Sequence, residues 1–479
     1  VVLLLAMTAR AEVVVFNEAT SSQDITSRAS YWVDEGGMAD HQSVLALPAS
    51  AFTPIQEDVF NLGITVRPVW VRFTILNMRA SGRLILEYTN PRTTGVDLFV
   101  PVSGGGHVRK QAGAGFPFYA RELYHASPAF LAGVPAGEPW TYYLRLTNTG
   151  NMRFSLMLWE EAAFHRHAAT SNIAGIALFG MITAIALFNF FVFFSLRERA
   201  YLYLGCLVVC FLFTHLSFTG IGAMLFGPDA PWVGERGPTV FILLTLGVGA
   251  LFATSLAAPG DPGRGWARAG LVIGGLTSGC AAVAAVAPGS VRSYLLMILA
   301  LVVPAYILLL GAATWRRNLP YARLFLVAWG TLGVVTIFVT FVSLRLFNVA
   351  IRGELVFSIT FVASSLLWSF ALTDRLKRRD DEVRELLEAR VRERTQKLES
   401  ALTEVKALSG LLPICAGCKK VRDDTGYWRN VEAYLQDHTE VNLSHGICPE
   451  CTEKFYPEFV QRQRQHRMDD DASTPPGSP

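Results

Sequence analysis

The chain has 479 residues, of which 51% are hydrophobic and 17% charged, with a mean hydropathy of +0.34 and a formal net charge of +3. Soluble domains are nearer one-quarter charged, so this balance excludes a disordered protein and argues against a wholly soluble enzyme. So small a net charge leaves no electrostatic footprint for nucleic acid, and no such partner is expected.

Residues 1–11, VVLLLAMTARA, read as the end of a secretory signal, an apolar run followed by the small-x-small triplet Ala9-Arg10-Ala11. The competing reading is a first strand continuing into Val13-Val14-Val15-Phe16. Residues 12–165 contain no cysteine and alternate apolar with polar side chains, as in Trp70-Val-Arg-Phe-Thr-Ile-Leu76 and Trp140-Thr-Tyr-Tyr-Leu-Arg-Leu146. Turn signals separate these stretches, among them Asn90-Pro91, Ser103-Gly-Gly-Gly106 and Asn148-Thr-Gly150. Short strands at this spacing predict a β-sandwich or jelly roll that binds a ligand outside the cytoplasm. Trp32, Trp70, Trp140, Tyr142 and Tyr143 are the candidates for a platform that stacks on a sugar. The alternative for each is a place in the core.

Between 168 and 373 the pattern changes to seven long apolar runs, at 171–195, 201–221, 237–257, 268–287, 292–313, 322–344 and 352–373. Each is near the roughly 20 residues that cross a bilayer as a helix. The fourth, rich in Gly and Ala, is the weakest. With the first run directed inward, Arg197, Arg199, Arg264, Arg268, Arg316, Arg317, Arg323, Arg375, Lys377, Arg378 and Arg379 lie on the cytoplasmic side. Arg236, Arg292, Arg345 and Arg352 lie opposite, which is a positive-inside bias and agrees with a secreted amino-terminal domain. Ionisable groups inside the runs are scarce, which weighs against an ion-coupled transporter; His215 is the exception and reads as a hydrogen-bonded core residue.

A helix is expected over 374–410, with Leu387, Val391, Leu398, Val405, Leu408 and Leu412 on the a and d positions of one heptad frame. Arg384, Arg394 and Ala401 interrupt that seam. The seam predicts a coiled coil in a homodimer; the alternative is a single solvated helix. Residues 411–460 hold Cys415-Ala-Gly-Cys418 and Cys448-Pro-Glu-Cys451, with His445 three positions before the second pair. Four soft thiolates in two CxxC pairs suit tetrahedral Zn2+, with His445 a further candidate ligand. CxxC is also a redox spacing, so a thiol–disulfide element is the rival reading. A small helix or hairpin is expected in the spacer, with Tyr427–Leu435 the candidate for the helix, and 461–479 is expected to be disordered. The chain has no GxxxxGK[ST] loop, and its tail has neither a glycine-rich lid nor a histidine on the heptad helix. No enzymatic activity is expected.

Tyr31-Trp-Val-Asp-Glu35, Pro68-Val-Trp-Val-Arg-Phe73, Val96-Asp-Leu-Phe99 and Tyr142-Tyr-Leu-Arg-Leu146, placed before seven membrane runs, resemble the bacterial seven-transmembrane receptors with diverse intracellular signalling modules. The resemblance covers residues 20–373 and implies a type 2 extracellular jelly roll akin to carbohydrate-binding modules. Leu411-Leu-Pro-Ile-Cys-Ala-Gly-Cys418 and Ser444-His-Gly-Ile-Cys-Pro-Glu-Cys451 resemble a short cysteine module at the ends of bacterial sensory proteins. A kinase, cyclase or phosphatase domain, usual in that receptor family, is missing from this sequence.

The expectation is therefore an inner-membrane sensory receptor of bacterial type. A periplasmic small molecule such as a carbohydrate acts on the seven-helix bundle, and the coiled coil carries the change to a module that docks a cytoplasmic signalling protein. A membrane-tethered thiol redox sensor is the alternative, and a membrane transporter or enzyme a more distant one.

Overall fold

The computed structural model describes residues 13–79, 83–226, 229–257, 264–316, 322–347, 353–409 and 412–472. The secretory-signal reading of 1–11 lies outside them.

The amino-terminal part is built from β1 (Val14–Phe16), β2 (Ser22–Asp24), β3 (Ser30–Val33), helix α1 (His41–Leu45), β4 (Thr53–Pro54), β5 (Phe60–Ile64), β6 (Val69–Asn77) and β7 (Arg83–Tyr88). It continues with β8 (Gly95–Pro101), β9 (His107–Ala112), β10 (Ala129–Gly133), β11 (Pro139–Thr147), β12 (Asn151–Phe154) and β13 (Leu156–Glu160). One sheet has the order β4-β3-β6-β11-β8-β9, with β1 added in parallel to β6. The second has the order β10-β7-β13-β2, and β12 pairs with β5 as a separate ribbon. Side chains alternate between faces, so Val69, Val71, Phe73 and Ile75 of β6 and Tyr142, Leu144 and Leu146 of β11 all point into one core. Phe16, Tyr88, Phe130 and Phe154 complete it from the other strands. The expected sandwich is present. Its strands end at Glu160 rather than 165, because the first long helix takes over there.

That helix, α2 (Glu161–Leu196), is followed by α3 (Arg199–Thr219), two short helices α4 (Ile221–Phe226) and α5 (Pro231–Glu235), then α6 (Gly237–Ala257), α7 (Arg264–Val286), α8 (Gly289–Arg316), α9 (Ala322–Ser343) and α10 (Gly353–Ser409). Seven of these are long and apolar enough to cross a membrane, and they coincide with the seven runs. Phe211, Phe252, Phe361 and Trp368 are buried at the centre of the bundle. Ile173, Phe188, Phe191, Leu271, Leu276 and Val334 stay exposed on its outside, as a lipid-facing surface requires. The fourth run is weak in hydropathy for a packing reason. A Cβ on Gly274 would lie 2.9 Å from the Gly247 carbonyl oxygen, so small residues let α7 approach α6 closely. His215 donates to or accepts from Ser358 at 2.8 Å and is buried, which is the hydrogen-bonded core role expected of it.

Residues 380–479 form a second unit. α10 runs without a break from the membrane span to Ser409, 57 residues in all. The side chains of Val405 and Leu408 lie outside the described ones. Beyond it, β14 (Val421–Arg422) and β15 (Trp428–Arg429) form a hairpin, followed by α11 (Val431–His438), α12 (Pro449–Phe455) and α13 (Pro457–Ala472). The spacer between the cysteine pairs thus holds both a hairpin and a helix, the helix starting at 431 rather than 427. The expectation of disorder over 461–479 is corrected for 461–472, which α13 covers, while 473–479 lie outside the described residues. Pro457 suits a first helical turn, and the Gln and Arg that follow are good helix formers.

Candidate functional site

The outward face of the large sheet carries what the core does not use. In one row, Trp32 pairs with Trp70, Trp70 with Arg145, Arg145 with Asp97, and Asp97 with Gln111. In the next, Arg72 pairs with Tyr143, Tyr143 with Phe99, and Phe99 with Arg109. Asp97 is buried and accepts from Arg109 at 2.9 Å and from Gln111 at 3.0 Å, with the Arg145 guanidinium 3.7 Å away. A second small core forms on this face, where Val44, Phe52, Trp70, Phe99 and Tyr143 are buried and Trp32, Ala39 and Leu47 pack against them. Val44, Leu47 and Phe52 come from the segment 34–52, which crosses the sheet and includes α1. Asp40 caps α1 by accepting from the Ser43 amide at 2.8 Å, and Asp34 holds the start of the segment through the Gly37 and Ala39 amides.

Two of the five aromatic candidates do not belong to this face. Tyr142 is fully buried in the main core and Trp140 packs against it, because even-numbered positions of β11 point inward. Of the five expected platform residues, Trp32, Trp70 and Tyr143 lie on this face, with Trp70 and Tyr143 buried in its small core and Trp32 partly buried against them. His41, Phe99, His107 and Arg145 were missed; their positions on β8, β9, β11 and the crossing segment gave no linear motif, though the alternation of β8 and β11 marks Phe99 and Arg145 as outward.

The sandwich is seated on the outer end of the bundle by polar contacts. The turn after β11 places Thr149 against the start of α8, where Arg292 Nη2 donates to Thr149 Oγ1 at 3.3 Å and Ser293 Oγ to the Thr149 carbonyl at 3.2 Å. The same Arg292 nitrogen donates to Glu235 Oε1 at 3.0 Å, and Arg292 is 3% exposed. Asn61 donates to the Val342 carbonyl at 3.1 Å, Tyr124 to the Met224 carbonyl at 3.2 Å, and the Arg92 guanidinium lies 4.4 Å from the Phe218 ring centre. Gly220 ends α3 at φ 77°, and a Cβ there would lie 2.8 Å from both the Ala126 carbonyl oxygen and Pro91. Only glycine accepts that conformation and that approach together. The sequence had shown Arg292 merely as a loop charge.

In the tail, each CxxC pair is drawn together by the chain around it. Cys415 donates its amide to the Lys420 carbonyl at 2.8 Å, and the Lys419 amide returns to the Cys415 carbonyl at 2.9 Å, with Lys419 at φ 61°. In this tight turn the Cys418 amide, then that of Gly417, holds the Cys415 thiol below its usual pKa. Cys448 stands at the start of α12, where the Cys451 amide, then the Cys451 thiol, lowers it. The Cys451 thiol is pushed up by its hydrogen bond to Cys448 and by that neighbour's charge. The two pairs are not brought into one ligand set: among the described residues no three or more His, Cys, Asp or Glu side chains are grouped to hold a metal ion. His445 Nε2 lies 3.7 Å from Glu432 rather than beside a thiol. Each pair is a half-site with two thiol donors, short of the four that tetrahedral zinc takes.

The family model for the 7TMR-DISM extracellular 2 domain matches residues 26–160, and that for 7TM diverse intracellular signalling matches residues 171–375. The first spans the sandwich and the second the bundle. The chain belongs to the seven-transmembrane receptors with diverse intracellular signalling. No curated protein matches it. The receptor accordingly has an extracellular sensory domain, the sandwich, carried on a multi-pass membrane bundle. The outward sheet face lies in its extracellular part, and the Arg292 seat lies where its two matched domains meet.

Proposed function

We propose that this receptor senses a small extracellular ligand, carbohydrate in class, on the outward sheet face, and that its tail is a non-enzymatic docking module for a cytoplasmic signalling protein. The observation that carries the reading is the path of β11. The strand presents Tyr143 and Arg145 on the sensory face, and its following turn sets Thr149 on Arg292. A shift of the strand on ligand binding thereby reaches α8 through that short turn alone. Trp32, partly buried at the edge of the small core, offers an aromatic face, Trp70 and Tyr143 back it from within that core, and the neighbouring arginines supply donors for hydroxyl oxygens. Seven crossings and the arginine bias support a cytoplasmic end of α10 in a bacterial inner membrane. Leu387, Val391 and Leu398 are exposed along α10, which suits a parallel seam with a second copy of the chain.

A thermal-shift screen of the whole receptor in detergent against neutral and acidic mono- and oligosaccharides tests the ligand class. Binding at a tenfold excess over Kd should raise stability by about 1.4 kcal/mol, and Trp32→Ala should abolish the shift. A panel without a single stabilising sugar would overturn it.

For the module, the reading is that the two half-sites close on one Zn2+. The metal would supply folding free energy there and leave no open position for chemistry. The unequal thiols of Cys448 and Cys451 favour the second reading, a redox pair. Metal and free-thiol content of the receptor purified under reducing conditions separates the two. One zinc per chain, with the four tail thiols blocked until chelation, is expected; a metal-free protein that loses two thiols on mild oxidation would make the module a redox element.

A further inference from the structure

The segment 34–52 lies over the sensory face on a contact that no carbohydrate reading requires. His41, the first residue of α1, stacks on Phe99 with ring centres 4.2 Å apart and an interplanar angle of 5°. It meets His107 of β9 edge-on at 4.5 Å, and both rings stand against Tyr143 at 5.9 Å. Trp70 lies beneath at 6.5 Å and is fully buried. Among the described residues, His41 Nε2, His107 Nδ1, Trp70 Nε1 and Arg145 Nε are buried without a hydrogen-bond partner. Two imidazoles in contact, each with a buried and unpartnered nitrogen, form an arrangement that holds only while both rings are neutral.

We propose that His41 and His107 are a proton-sensing latch, which keeps the 34–52 segment closed over the sheet when neutral and releases it when either ring is protonated.

The charges around the pair point the same way. Beneath it, Arg72 and Arg145 come from β6 and β11 and Arg109 from β9, while Asp97 on that face is already engaged by Arg109, Arg145 and Gln111. Asp34 is spent on the Gly37 and Ala39 amides, and among the described residues Asp40, on the exposed end of α1, is the carboxylate that favours a charged His41. Burial, and next the neighbouring His107, hold His41 below the usual imidazole range; burial does the same to His107 against a hydrogen bond to the Thr141 backbone. The closed form therefore binds protons less well than the open one. Closure is complete above the ordinary imidazole pKa of about 6.5 and is lost as pH falls below it, by up to tenfold in the open–closed ratio for each unit of separation per ring. The latch works on the proton alone. Its consequence for ligand access, uncovering the Trp70–Arg145 row in acid, rests on the carbohydrate reading.

Hydroxyl-radical footprinting of the intact receptor in detergent, without ligand, tests the latch separately from that reading. Oxidation of Trp70 should rise several-fold between pH 7.5 and pH 5.0, while Trp368 in the bundle stays constant. The double variant His41→Phe, His107→Phe keeps the stacking and should show no rise. If it does not fold, His107→Gln, which keeps a donor for Thr141, should remove more than half of the rise. A wild-type Trp70 indifferent to pH, a parallel rise at Trp368, or a full rise in the variants would each overturn the proposal.

Discussion

Replacing Arg292 with alanine is expected to loosen the extracellular domain from the membrane bundle and to cost the receptor about 3 kcal/mol of stability. The change removes the donor to Thr149 and leaves the Glu235 carboxylate facing a space its partner filled. Breaking a buried pair on one side costs roughly 3–5 kcal/mol, since the other charge stays behind without compensation. The lower end applies because the Glu235 side chain keeps 25% of its accessibility while Arg292 keeps 4%. Scanning fluorimetry of the detergent-solubilised receptor reads the effect. Adding Glu235→Gln should restore part of the loss, because the stranded charge disappears with it. A loss below about 0.5 kcal/mol, the range of ordinary surface changes, would show that other contacts hold the seat. Gly220→Ala offers an independent check on the same junction, by strain and collision rather than by charge.

Trp70→Ala should have an effect of similar size on the outward sheet face, where Trp70 of β6 pairs with Arg145 of β11. Trp70 has no accessible surface and is the largest side chain in the small core beneath the 34–52 segment. Truncating a buried tryptophan costs roughly 3–5 kcal/mol, through lost burial and the cavity left behind. The main core lies on the opposite face of the sheet, so the sandwich should survive while the segment over it is released. Limited proteolysis of the receptor at neutral pH should then cut within 34–52 at a rate the wild type does not show. Resistance equal to wild type would mean that Asp34 and Phe52 anchor the segment unaided. Trp70→Phe keeps most of the volume and should lose far less.

How much of this was legible beforehand depends on the range of the interaction that encodes it. Apolar periodicity is local, so the switch from a period of two to long apolar runs near residue 168 located the sandwich and the seven spans within a few residues. The residue patterns were also enough for the family resemblance that the family models then matched. The two CxxC turns are equally local, since each thiol is lowered by amides of its own turn. Whether those turns share an ion depends on a closure between distant segments, which spacing alone does not set. The boundary at Glu160 and the helix through 461–472 were misjudged where composition overlaps between states.

What only the tertiary structure decided is the pairing across strands and the seating of one domain on another. Trp140 and Trp70 look equivalent in a list of aromatics, yet one packs against the main core and the other lies on the sensory face, because register and alternation assign them to opposite sides. His41 and His107 are 66 positions apart, and nothing near either in the chain foretells that their rings meet at 4.5 Å. Arg292 and Thr149 are likewise remote in sequence and joined only by the fold. The sequence by itself determined a membrane receptor with an extracellular sandwich, since hydrophobic patterning acts over a few residues. The latch and the seat come from long-range contacts, which exist only after the sheet has closed and the sandwich has settled on the bundle.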